Sequence, residues 1–488
     1  MQYHCLLYIR KDLQEHRTIS RDHKSMTRQI STIIFLLTVT QFSSAQHCNC
    51  ETKFLFLKNY IEKNYSGFSG KVTQDNRAKY DVFSQNVLTA VQKTTNSIRC
   101  TDHMNEWLTF FKDGHIQIWD KAKSKDSIAI EELMQGTEMI SISKADLANL
   151  QKSNGVEGIY YHVDSNYKIA ILKNKTASRD YAGVIVSSKS SFWKPGQIIL
   201  QLKQEADNKF TVKTYNEVHS ARIQDFEFDK NSLHDGEWLK EGIPRENKLN
   251  DLAVQSKKIS DKTIYIKIAS FNTWNAKAID SVFKSNESIL KSTPNLILDL
   301  RENGGGSDFA YQSISPYLYT NPVYTIGEDV FSTDDNIKSW QALLDEDDFP
   351  QSFKEEIKII TVKMKHYPGQ FVPFGNDDTT TRDRVEPFPK KIVVLINNRC
   401  ASTTEQFLLE AMQSKKVTLM GQHTEGVLDY ANMRNVAFPC SSLVLAYATT
   451  RSRRINIGQG IDNIGIKPNI SLAMDKDWIK EATEYLER

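Results

Sequence analysis

Two unbroken apolar runs constrain this chain most: Asn295-Leu-Ile-Leu-Asp-Leu300 and Lys390-Lys-Ile-Val-Val-Leu-Ile-Asn397. Neither alternates polar with apolar residues, so both read as strands buried on two faces, the kind found inside a parallel sheet. They should be neighbours in one sheet. Around them strand and helix patterns alternate. TIYIKIASF and VTLMG are strands, while AIDSVFKSNESILKS and TTEQFLLEAMQS carry helical spacing. This order predicts an α/β core from about residue 260 to 488.

Upstream the pattern differs. FLFLKNYIEKNY and NEWLTFF predict a helical part over 46–155, ending near the Asp113-Gly114-His115 turn and the alternating Ile116 and Ile118. VEGIYYHV, YKIAILK, YAGVIVSS, QIILQL and KFTVKTY predict a small β-rich domain inserted over 156–250. Asp334 to Gln370 is polar and mostly helical in pattern, an insertion over the core.

Residues 1–45 read as targeting matter. From Met26, taken as the true start, Arg28 precedes the apolar stretch Ile33–Val39, and Ser43-Ser44-Ala45 precedes a cut. That is a signal-peptide layout, and the run is too short for a permanent span. The mature chain should begin at or near Gln46, with no transmembrane segment, in the periplasm or outside the cell. A net charge of +2 singles out neither nucleic acid nor acidic membranes as partner. Cleavage leaves five cysteines. Cys48 or Cys50 could bridge Cys100, and Cys400 could bridge Cys440; one must stay unpaired or join another chain. The C-N-C spacing does not suit zinc, so neither metal nor cofactor is expected.

Two segments could carry chemistry. In LILDLRENGGGSDF a buried strand runs into Gly304-Gly305-Gly306, whose backbone could approach a ligand or turn N–H groups toward an anion; it could equally be a tight turn. In INNRCASTTEQFLLEAM, Ser402 opens a helix with Glu405 three residues later. That fits a capping box. The same place in the helix field favours a developing oxyanion.

Taken together, DLRxNGGG, about a hundred residues, an ASxxE helix start and a G-x-x-T-x-G step resemble the S41 serine peptidases, over roughly 262–472. These are the tail-specific, C-terminal processing and tricorn-like enzymes. The resemblance implies a ClpP/crotonase-like core of ββα units with an N-terminal helical cap. It makes Ser402 the nucleophile, and Gly305 (within one residue) and Thr403 the oxyanion donors. The tail-specific branch places a Lys where this chain has Val427, which excludes a Ser–Lys dyad there. The tricorn-like branch implies His115 as base and Asp462, in Ile461-Asp-Asn-Ile-Gly-Ile-Lys-Pro468, as the acid that orients it. Gly114 stands where that branch has Ser, and Asp462 is shorter than its Glu. His423 is the alternative base. A serine hydroxyl needs such a base at neutral pH, and a carboxylate can hold its tautomer. The expected function is a secreted serine endopeptidase acting on extended polypeptides, with a catalytically inactive peptide- or ligand-binding protein as the alternative. The basic run Arg451-Ser-Arg-Arg454 reads as a solvated strand edge, or as a site for a peptide carboxylate.

Overall fold

The computed structural model describes residues 48–122, 126–234, 236–243, 254–346, 349–473 and 476–488. The expected signal segment lies outside these residues.

The two apolar runs are neighbours. Strands Asn295–Asp299 and Lys391–Ile396 pair in parallel, with Leu298 opposite Val394. They form the middle of a six-stranded sheet. Val254–Lys258 and Thr263–Ile268 lie on one side, Val417–Gly421 and Ile470–Ser471 on the other. All these pairings are parallel except the first. Leu296, Ile297, Leu298 and Val393 to Ile396 are fully buried. The helices Thr273–Ser285 and Thr403–Ala411 cover one face, with Phe283 and Phe407 in the core. Helix Trp478–Glu487 covers the other through Trp478 and Leu486. Both faces are thereby sealed, as such sequences require.

A second, five-stranded sheet ties the N-terminal part to the C-terminal part. Strand Gln117–Asp120 pairs with Leu443–Ser452, whose other partners are Tyr430–Ala437 and Glu328–Phe331. The helices Cys50–Asn64, Arg77–Gln92 and Ser97–Leu108 pack Phe54, Tyr80 and Trp107 against one another, in one cluster with Leu445 and Tyr447 of this sheet. The helical cap therefore also contributes a strand to the sheet beside the six-stranded core. The polar insertion holds two helices, Asp334–Gln341 and Gln351–His366.

The β-rich insertion closes into an eight-stranded barrel spanning Gly158 to Lys240. Tyr160, Trp193, Phe210 and Trp238 fill it, so its interior is packed side chain rather than a cavity.

The disulfides differ in part from the expected set. Cys50 bridges Cys100, but Cys440 pairs with Cys48 and not with Cys400. Cys400 is fully buried and donates its thiol toward the Leu300 carbonyl at 3.1 Å. Burial pushes that thiol's pKa up, which suppresses the reactive thiolate. The Cys50–Cys100 bridge closes 50 residues between two packed cap helices. Replacing both cysteines with serine should lower unfolding free energy by about 3 kcal/mol. Denaturant titration under non-reducing conditions measures this; an unchanged midpoint would contradict it.

Candidate active site

Strand Lys391–Ile396 ends, the chain turns through Asn397 to Ala401, and the helix Thr403–Ala411 begins. Ser402 sits at the junction with φ 55° and ψ −123°. A non-glycine residue there is strained, and such strain is kept where surrounding structure enforces it. Its hydroxyl makes no side-chain cap hydrogen bond to the helix. Glu405 N–H goes to the Ser402 carbonyl at 2.8 Å instead. The reciprocal half of the box does form, with Ser402 N–H donating to Glu405 Oε2 at 3.1 Å.

The Ser402 hydroxyl instead lies 3.2 Å from His115 Nε2, across 287 residues of sequence. His115 is 9 % exposed. Its Nδ1 is 2.5 Å from the Tyr430 carbonyl oxygen. A carbonyl can only accept, so in neutral imidazole the proton must sit on Nδ1. Nε2 is then left with a lone pair facing the Ser402 hydroxyl. This is the tautomer a general base needs.

Asp462 does not fill the place expected for it. Its Oδ1 accepts from Leu428 N and Asp429 N at 3.1 and 2.8 Å, and its Oδ2 pairs with Lys71 at 3.3 Å. The short side chain is used up on the backbone just before Tyr430, so it reaches His115 only through that segment. The carboxylate beside the ring is Asp113, whose Oδ1 lies 4.0 Å from His115 Nδ1. Asp113 also accepts from His115 N at 2.8 Å and from the Tyr65 hydroxyl at 2.5 Å. Burial raises its pKa; the neighbouring His115, and then the Tyr65 hydrogen bond, oppose this. The Asp-Gly turn was visible in sequence. The accepting carbonyl of Tyr430 leaves no sequence signal, because every residue has one.

His423 is exposed and its Nδ1 contacts the carbonyl of its neighbour Thr424 at 2.8 Å. No hydrogen bond joins it to Ser402, so it does not occupy the place of a base.

The two departures from the S41 pattern touch each other. A Cβ on Gly114 would lie 2.9 Å from Val427 Cγ2. With Val at the position of the Lys, the serine hydroxyl's carrier at 114 has no room without a shift in Val427.

The Gly-rich loop lies against Ser402 as expected. A Cβ on Gly305 would stand 2.7 Å from the Ala401 carbonyl oxygen and 2.9 Å from Thr403 N, and its φ is +99°. Only glycine fits there. Thr403 N–H is one of the unpaired donors at the helix start. Gly305 N–H, however, donates to Asn303 Oδ1 at 3.0 Å. The expected Gly305 donor is thus already engaged, and an oxyanion donor from this loop must come from a neighbouring residue. Gly304 and Gly306 are both exposed.

Glu405 binds the remaining motif together. Its Oε1 accepts from Thr424 Oγ1 at 2.5 Å and Gly426 N at 2.8 Å; Oε2 accepts from Val427 N at 2.8 Å and from Ser402 N. Thr424 N–H in turn donates to the Ile466 carbonyl while Ile466 N–H donates to Thr424 Oγ1, and Asn463 N–H reaches the Gly426 carbonyl. One buried carboxylate thus holds the G-x-x-T-x-G half of the C-terminal pattern beneath Ser402, and the D-N-x-G half is tied to it through Thr424 and Gly426.

Glu425 adds a second, half-buried acid. Its carboxyl is pushed up to about 7 by burial, then by Glu405, with Arg399 opposing. A folded pKa above the ordinary value of 4.5 gives stability that is full below about pH 4.5 and lost as pH rises through about 7. Glu425→Gln should match the parent near pH 4 and exceed it by roughly 2 kcal/mol at pH 8. Equilibrium unfolding at both pH values checks this, and equal differences at pH 4 and 8 would refute it.

Among the described residues no cluster of His, Cys, Asp and Glu could hold a metal, and no helix is long and apolar enough to cross a membrane. The family model described as Peptidase family S41 matches residues 262–472. No curated protein matches. Among solved structures, mature CPAF is similar at 15% identity and TM-score 0.49, covering 90% of this chain and 95% of that one. A putative peptidase from Parabacteroides merdae gives 14%, 0.43, 90% and 97%. The photosystem II D1 C-terminal processing protease gives 12%, 0.38, 90% and 97%. Likenesses this distant carry no mechanistic argument. Residues 262–472 are thus similar to peptidase family S41, a family of peptidases, and the mixed α/β fold with its inserted barrel accords with that match.

Proposed function

We propose that this chain is an exported serine endopeptidase that cleaves extended polypeptides without a metal or cofactor. The observation that carries the reading is the 3.2 Å approach of His115 Nε2 to Ser402 Oγ, with Nδ1 fixed by the Tyr430 carbonyl. Ser402 Oγ attacks the scissile carbonyl carbon as its proton passes to His115 Nε2. The imidazolium then gives that proton to the leaving amine, and water repeats the sequence on the acyl-enzyme. Asp113 stabilises the imidazolium from 4.0 Å. Asp462 is a positioning residue: it holds Leu428 and Asp429 and through them the Tyr430 carbonyl. Thr403 N–H and a donor from the Gly304–Gly306 loop receive the oxyanion. Export is supported by the signal-like N-terminus and by two disulfides that belong to an oxidising compartment.

The second reading, a binding protein without catalysis, is favoured by one observation: Gly305 N–H is committed to Asn303. A serine-reactive fluorophosphonate separates the two. Labelling of the parent but not of Ser402→Ala supports the enzyme; absence of labelling in both supports the binding protein.

A further inference from the structure

Asp113 has only 1 % of its side chain exposed, and a carboxylate buried that deeply needs donors to stay charged. Two are present. Its Oδ1 accepts the His115 N–H at 2.8 Å and lies on the ring side, 4.0 Å from Nδ1. Its Oδ2 accepts the Tyr65 hydroxyl at 2.5 Å, the one hydrogen bond to this oxygen among the described residues. The first donor belongs to the turn itself, so the second fixes which way the carboxylate faces.

Tyr65 comes from the helical cap. It follows helix Cys50–Asn64, is 1 % exposed, and packs its ring against Phe111 and Tyr430 with centroids 5.7 and 5.9 Å away. Burial, then the Asp113 charge, push its hydroxyl far up from the ordinary value, so it stays a donor. The backbone is cleared for it. A Cβ on Gly67 would stand 2.1 Å from the Tyr65 hydroxyl oxygen and 2.2 Å from the carbon that bears it. Gly67 has φ −83°, which any residue adopts, so glycine there makes room for the Tyr65 ring rather than for an unusual backbone.

The other charges nearby do not replace this donor. Lys71 is spent on Asp462 Oδ2 at 3.3 Å and on the Lys112 carbonyl at 3.4 Å. Arg454 faces Asp429 at 3.9 Å, and Tyr430 meets His115 through its carbonyl. Burial pushes the Asp113 carboxyl up and His115 opposes this; Asp462 adds to the rise, and the Tyr65 hydroxyl and the His115 N–H counter it.

We propose that Tyr65 is a positioning residue of the Ser402–His115 site: its hydroxyl keeps Asp113 turned toward His115 and charged, so that the imidazolium formed during proton transfer meets a carboxylate. The effect on rate rests on the peptidase reading; the hold on Asp113 does not. A hydroxyl donating to a carboxylate favours its charged form. Without it Asp113 takes up a proton at higher pH, so activity is lost first on the acid side.

Tyr65→Phe removes the oxygen and keeps the ring. Its kcat on a polypeptide substrate should fall about 10-fold near pH 6 and no more than about threefold near pH 9, with KM unchanged. Gly67→Ala keeps the hydroxyl in the chain but takes its space, and should do the same. In an Asp113→Asn background Tyr65→Phe should change nothing further. A merely structural Tyr65 would lower the melting temperature and leave the pH profile parallel to the parent's; that result, or an additive double variant, overturns the proposal. A second measurement needs no hydrolysis. In Ser402→Ala protein carrying isotope-labelled aspartate, the Asp113 carboxyl resonance, identified by its absence from Asp113→Asn, should titrate at higher pH once Tyr65→Phe is added. An unmoved titration overturns the proposal even where the parent hydrolyses peptides. A moved titration in a chain whose parent shows neither turnover nor fluorophosphonate labelling removes the peptidase reading and still supports Tyr65 as the residue that holds Asp113.

Discussion

Alanine at Ser402 or at His115 is expected to lower kcat/KM on a polypeptide substrate by about 10⁴–10⁶-fold, with KM nearly unchanged. In the proposed mechanism neither residue holds the substrate, while both act in proton and bond transfer. They act as one unit, joined at 3.2 Å. The double variant should therefore be no slower than the worse single one. His423→Ala should stay within about twofold of the parent, because that ring faces its own neighbour's carbonyl. Steady-state kinetics on the purified variants decides it. Full activity in His115→Ala, or an additive double variant, would remove the pair from the mechanism.

Glu405→Ala should be the most damaging change that touches no substrate. The carboxylate is fully buried and accepts four hydrogen bonds from Ser402, Thr424, Gly426 and Val427. Removing it strands four buried donors at once. Partial relaxation and water entry reduce the loss to an expected 4–5 kcal/mol, roughly. Activity should fall as well, since the Ser402 backbone loses one of its anchors. Burial raises the Glu405 pKa against those hydrogen bonds, so Glu405→Gln is the informative companion. It keeps the volume but replaces one acceptor with a donor, and should lie between parent and alanine. Thermal and denaturant unfolding rank the three proteins; an alanine variant as stable as the parent would show that the knot beneath the nucleophile carries no stability.

The sequence already contained the central sheet. Leu296 to Leu298 and Val393 to Ile396 are apolar without alternation, and burial on both faces is the one arrangement that suits them. Ser402 and the Gly loop were legible for a related reason: motif residues at the ends of adjacent parallel strands must converge. The partners of His115 were not legible in the same way. The Tyr430 carbonyl is backbone, and its aim depends on a strand pairing 315 residues away from His115 in sequence. Asp462 stood at the expected position, yet its reach is decided by two backbone N–H groups that no residue type announces. The cysteine pairing failed for a third reason. Cys400 and Cys440 are close in sequence, but one lies in the core at the end of a buried strand and the other at the turn preceding strand Leu443–Ser452. The basic run 451–454 also divided: Arg454 is 6 % exposed, not solvated.

Strand Gln117–Asp120, which follows His115 almost at once, is held by Leu443 to Ala446. Synthesis must therefore run past residue 446 before the histidine can take its place beside Ser402, and past 462 before the Tyr430 segment is secured. A nascent chain carries Ser402 for dozens of residues before His115 can stand beside it. Contacts of such long sequence separation form slowly. Until then the Ser402–His115 contact cannot exist, so whatever chemistry that pair performs belongs to the finished chain alone.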